Sequence, residues 1–198
     1  MKKFSIIGFV GIAVYVLTII IGGIIRPEFT FFSGTISWIF GKGLPHSQTI
    51  ALFLSLANIL IMIMAIGGYL SIKNKMIKTA MALLIASSLV ATILFNFFPM
   101  DPWIGVRTAA DILHDSIFAV VVFLIWGSMF MTYLGSRASK KWGSLSNYFL
   151  VCFVLLVVLS LSAGYFWQYL YSLTGLFETM FLIVFLQWLG VVAYRLEK

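Results

Sequence analysis

Six stretches of this chain are apolar over the length of a bilayer's hydrocarbon core, and that feature limits the possible folds more than any other. A core of roughly 30 Å takes about 20 residues of helix, and the stretches fall at 4–25, 50–70, 79–98, 108–134, 148–170 and 176–196. Hydrocarbon offers no partner for backbone N–H and C=O groups, so a segment crossing it is driven into a helix that closes its own hydrogen bonds. Only short segments join the six. The sequence therefore predicts an all-α polytopic membrane bundle of six transmembrane helices, a single domain over residues 1–198.

Composition supports this reading, since a chain that is 62% apolar and 10% charged has too little polar surface for a soluble domain. A net charge of +7 would suggest a nucleic-acid partner in a soluble protein. Here the Lys and Arg residues sit in the joints between apolar runs, so no nucleic acid is expected and membrane lipids are the expected partners.

With the N-terminus in the cytoplasm, the inner segments carry Lys2, Lys3, Lys73, Lys75, Lys78, Arg137, Lys140, Lys141, Arg195 and Lys198. The outer segments carry only Arg26, Lys42 and Arg107. Positive charge favours the cytoplasmic side, which predicts N- and C-termini inside, in the plasma (cytoplasmic) membrane. Lys2-Lys3 and the apolar run after them imitate a secretory signal. The run has span length and no small-x-small cleavage site, so it is expected to stay as the first span.

Trp38, Trp103, Trp142, Trp167, Tyr69, Tyr133 and Tyr171 fall near predicted span ends, as an interfacial belt would place them. In the first outer loop, Ser33-Gly34-Thr35-Ile36-Ser37-Trp38-Ile39-Phe40-Gly41 offers a helix cap, apolar residues at Ile36, Ile39 and Phe40 and a terminating glycine. That pattern is too short to span and predicts an interfacial or re-entrant helix. The lone Cys152 excludes an intrachain disulfide and a cysteine-based metal site.

The acids are segregated as well. Glu28, Asp101, Asp111, Asp115 and Glu178 are on the outer side with His46 and His114, and Glu197 alone is inside. Thr108 and Asp111 have capping-box spacing, and Asp111 shares a helical face with His114 and Asp115. Asp111 by itself is explained by the positive end of a helix, an interaction of roughly 0.3–1 kcal/mol. His114 and Asp115 lie deeper, where ionisable groups are costly unless paired or facing a polar cavity.

Glu178, about a turn into the sixth span, needs a partner such as Arg107, His46 or His114. Asp101, between Pro99 and Pro102, suits a tight turn. His114, Asp115, Glu178 and Asp101 are thus the catalytic candidates, with Asp111, Arg107, His46 and Asn58 as binding candidates. Asn58 is included because an amide well inside the second span needs a partner. Asn96, Gln168 and Gln187 read as interhelical glue, and Gly8, Gly11, Gly22, Gly23, Gly67 and Gly68 as close-packing positions.

Ile36-Ser37, Phe98-Pro99-Met100-Asp101, His114-Asp115 and Gly175-Leu176-Phe177-Glu178 occur in that order across nearly the whole chain. In these the chain resembles the membrane family catalogued as domain of unknown function 998. The resemblance implies a six-helix bundle with an outer cluster of Asp101, His114, Asp115 and Glu178, and it brings no established reaction. Thr179 stands where the family tends to have a basic residue, and Trp38 where an acidic one is common, which weakens any role needing a fixed partner at either place.

The leading functional reading is an outward-facing site that binds, hydrolyses or translocates a lipid or other amphiphile. In it His114 is a general base or metal ligand, Asp115 orients it, and Asp101 or Glu178 is the second acid or ligand. The arrangement resembles that of the alkaline-ceramidase-type membrane zinc hydrolases, which rely on three histidines. This chain has two, so a metal ion would have to recruit carboxylates. Second comes a non-catalytic accessory or immunity protein whose outer cluster is structural. Third comes a proton-coupled transporter with His114, Asp115 and Glu178 as relay, although the inner half of each span lacks an ionisable group.

Overall fold

The computed structural model describes residues 1–26, 29–101, 108–169 and 173–197. Among them are six α-helices: α1 (Lys2–Ile24), α2 (Ser47–Ser71), α3 (Lys75–Phe97), α4 (Ala109–Arg137), α5 (Ser146–Tyr169) and α6 (Thr174–Glu197). Two 3-10 helices, Ile36–Phe40 and Gly143–Leu145, complete the regular structure, and the described residues contain no strand. Each α-helix is long and apolar enough to cross a membrane. Their bounds lie within a few residues of the predicted spans.

Local chemistry sets where the helices begin. Asn74 caps α3, its Oδ1 accepting from the N–H groups of Met76 (3.0 Å) and Ile77 (3.2 Å). Its Nδ2 donates to the Gly135 carbonyl at 3.0 Å, tying the start of α3 to the end of α4. At α4 the capping box forms, with Thr108 Oγ1 accepting from Asp111 N–H (3.2 Å) and Asp111 Oδ2 accepting from Thr108 N–H (2.9 Å).

Each helix packs against its neighbours in sequence, and α1 also packs against α6, so the six close into a ring. In lipid the hydrophobic effect does not drive one apolar helix onto another, and close packing with buried polar contacts has to do so. A Cβ on Gly11 would lie 3.2 Å from the backbone of Ala57 and of Ile61, so α1 and α2 meet nearly backbone to backbone. Side-chain hydrogen bonds cross the seams. Ser5 Oγ donates to the Ala193 carbonyl across α1 and α6 (2.6 Å), and Ser128 Oγ to the Ala80 carbonyl across α4 and α3 (2.8 Å). Asn96 Nδ2 donates to Ser55 Oγ between α3 and α2 (2.5 Å).

The segment between α1 and α2 folds back into one end of the ring, here called the cap end. A short helix was predicted there, and the 3-10 helix that forms is buried, with Ile39 and Phe40 at 0% and 2% exposure. It packs on α1, α2 and α6. Its apolar residues are spaced for this burial, and its backbone is satisfied from outside. Buried Arg26 donates through Nε and Nη2 to the Ile39 carbonyl (3.2 Å each) and through Nη2 to the Pro45 carbonyl (2.7 Å). Leu176 N–H donates to the Phe32 carbonyl (2.9 Å), next to Gly175, where any Cβ would collide with the Gly34 carbonyl.

Candidate functional site

Helix α5 is the least embedded member of the ring, burying only Phe149, Cys152, Leu156 and Leu159. Between it, α4, α6 and the 3-10 helix lies a cavity of about 370 Å³. Its cap end is polar, lined by Thr35, Ser37, His114, Asp115, Thr174 and Glu178. Further along α4 the lining turns apolar with Phe118, Val122, Phe123 and Trp126. At 1.5 Å per residue, the twelve-residue step from His114 to Trp126 spans roughly 18 Å.

Phe123 and Leu161 line the cavity yet are 62% and 61% exposed, so its wall opens sideways between α4 and α5. Gly164 widens the opening, because an added Cβ there meets nothing within 4 Å. At the apolar end Trp126 Nε1 donates to Ser160 Oγ (3.2 Å), joining α4 to α5.

His114 is 1% exposed and bonded on both sides, with Nδ1 2.7 Å from the Phe98 carbonyl and Nε2 3.0 Å from Ser37 Oγ. A carbonyl can only accept, so Nδ1 carries a hydrogen, and in the neutral imidazole Nε2 is the nitrogen that accepts from the Ser37 hydroxyl. Asp115, one residue on, accepts from Trp167 Nε1 of α5 at 3.1 Å. From α6, Glu178 Oε2 accepts the Ile36 N–H at 2.8 Å. Three side chains from two helices are thereby brought to one wall.

The other predicted residues have different places. Asp101 and Asp111 sit together beside the cavity rather than on it. Asp111, 5% exposed, accepts the Asp101 N–H at 3.1 Å through Oδ1 and the Thr108 N–H through Oδ2, while Asp101 Oδ2 accepts from Thr108 Oγ1 at 2.8 Å. This knot anchors the start of α4 to the segment that carries the Phe98 carbonyl. The Lys42–Asp101 ion pair, at 3.8 Å with the lysine side chain 70% exposed, adds little to it.

His46 is exposed at the start of α2 in a left-handed conformation (φ 59°), away from the described cavity wall. Asn58 is buried in α2 and donates to its own helix at Leu54 O (2.9 Å). Arg107 lies outside the described residues, as do Glu28, Trp103 and Tyr171. Among the described residues, no group of three His, Cys, Asp or Glu side chains is placed to hold a metal ion.

Charge-based reading of the sequence passed over three hydroxyls on the same wall. Ser37 belongs to one of the short motifs, but a serine carries no titratable signal. Thr35 Oγ1 and Thr174 Oγ1, on residues 7% and 3% exposed, have no hydrogen-bond partner among the described residues. A buried hydroxyl without a partner costs about 1–3 kcal/mol, so two on one cavity wall mark where a bound molecule would gain most. Trp167, one of the expected belt residues, also donates through Nε1 to Asp115.

A family model described as "Protein of unknown function (DUF998)" matches residues 9–195. No curated protein and no solved structure matches the chain.

Proposed function

The chain belongs to the DUF998 family, and from that premise we propose that it binds a membrane amphiphile at an outward-facing site. The headgroup lies against His114, Asp115 and Glu178, and the chain lies between α4 and α5. The observation that carries this reading is the polarity of one continuous cavity, hydroxyls, imidazole and carboxylates at the cap end and aromatic and aliphatic side chains beyond. The sideways opening supports access from the bilayer without passage through water.

Lipid tails are as apolar as the cavity wall, so entry of a tail from the bilayer contributes little affinity. Selectivity then rests on headgroup hydrogen bonds of about 1 kcal/mol each, to which Thr35 and Thr174 can add. The distribution of Lys and Arg supports a plasma-membrane orientation with the cap end outside and both termini in the cytoplasm.

Filling the cavity tests the reading. Gly164→Trp projects a large ring from a position on the cavity wall whose added Cβ meets nothing within 4 Å. Mass spectrometry of lipids co-purifying with the wild type and this variant should show a bound amphiphile that the variant loses at unchanged thermal stability. A wild type that purifies without lipid, or a variant with the same lipid complement, defeats the proposal.

A further inference from the structure

We propose that Ser37 and His114 form a nucleophile–base pair that cleaves a carboxylic ester within the amphiphile held in this cavity. The inference deepens the binding site proposed above and rests on it.

Its foundation is geometric. Activation of a serine requires a base within hydrogen-bond reach and a third group that orients the base. Ser37 Oγ is 3.0 Å from His114 Nε2, and the Phe98 carbonyl, 2.7 Å from Nδ1, supplies the orienting acceptor. With Nδ1 committed as donor, Nε2 is the nitrogen free to take a proton. Both residues line the cavity.

The nucleophile also sits on a fixed element. The Ile36 N–H immediately before it is held by Glu178 (2.8 Å), and the Ile39 carbonyl two residues after it by Arg26 (3.2 Å). Thr35 and Thr174 hydroxyls on the same wall lack partners among the described residues, and they are the donors available to an oxygen that gains charge in the transition state.

The reaction balances with water as the only co-reactant. Ser37 Oγ attacks the acyl carbon as its proton passes to His114 Nε2, giving a tetrahedral oxyanion. Collapse breaks the bond to the alcohol oxygen, which leaves with the proton from Nε2, and the acyl group stays on Ser37. Water then attacks the acyl carbon and gives a proton to Nε2. The Oγ–acyl bond breaks, the proton returns to Oγ, and a carboxylic acid is released. In this scheme Glu178 is a positioning residue.

The alternative is that Ser37 merely satisfies a buried imidazole, and a covalent probe separates the two. The full chain in detergent is treated with an alkyl fluorophosphonate, and the adduct is mapped by intact mass and peptide fragmentation. Expected is one adduct, on Ser37, absent in Ser37→Ala and formed about 10²–10⁴-fold more slowly in His114→Gln, as loss of a general base implies.

Ser37→Cys provides a second variant should the alanine fail to fold. Its thiol beside His114 should react with iodoacetamide well ahead of buried Cys152. A folded wild type that forms no adduct on Ser37, or His114→Gln labelled at the wild-type rate, overturns the pair. Co-purified lipid distinguishes the two readings. Lipid retained by a protein that forms no adduct leaves binding intact and removes only the chemistry, whereas a wild type without lipid removes both.

Discussion

The Glu178 carboxylate at the start of α6 accepts the backbone N–H of Ile36 at 2.8 Å, across 142 positions of the chain. One hydrogen bond thus pins the start of the buried 3-10 helix to the last helix of the ring. It also explains why a carboxylate is tolerated there, since it meets a donor that has no partner within the short helix.

Glu178→Ala should therefore cost about 1–3 kcal/mol, because it leaves the Ile36 N–H without its acceptor. Glu178→Gln retains an oxygen acceptor and should cost less than about 1 kcal/mol. Thermal or denaturant unfolding in a single detergent checks the order, and equal losses would mean that the acceptor is not what matters.

His114→Ala strips partners from both Ser37 Oγ and the Phe98 carbonyl. The Ser37 bond is buried and the Phe98 bond part-buried, so their loss implies about 1–3 kcal/mol. Protease susceptibility and melting temperature are suitable readouts, and a change below about 0.5 kcal/mol would show the ring to be dispensable.

Two glycines should respond in opposite directions. Gly11→Leu forces a side chain toward α2, whose backbone already lies 3.2 Å from an added Cβ, and should cost about 1–3 kcal/mol by overpacking. Gly164→Ala meets nothing within 4 Å and should be neutral or stabilising by up to about 1 kcal/mol through helix propensity. Melting curves of both variants settle the pair.

Asp111→Ala removes the acceptor of the Thr108 and Asp101 N–H groups and half of the capping box. A loss of about 0.5–2 kcal/mol is expected. Lys42→Ala should stay within about 0.5 kcal/mol of wild type, since an exposed ion pair is screened by solvent. If the lysine variant were the worse of the two, the role assigned to the knot would be wrong.

Orientation is open to labelling. In a Cys152→Ala background, a cysteine at Lys42 should react with a membrane-impermeant maleimide in intact cells, and one at Lys140 only after lysis. The reverse pattern would invert the topology.

Much of the architecture was legible in the chain. The six spans could be read because a helix in hydrocarbon is decided by length and composition, both local properties. The α4 start could be read because a capping box involves residues three apart. His114, Asp115 and Glu178 stood out because ionisable groups in apolar runs are few, and the structure does place these three on one wall.

The ring's closure and the division of labour at the cap end were decided only in three dimensions. Asp101 and Asp111 carry the same charge signal as Asp115, yet they meet each other's loop instead of the cavity. His46 is left outside, and Asn58 turns to its own helix. Ser37 gains its meaning from an imidazole 77 positions away. Local sequence determines which segments are helices and where they start. Which side chains share a wall depends on how helices far apart in the chain pack, and that is a property of the whole ring.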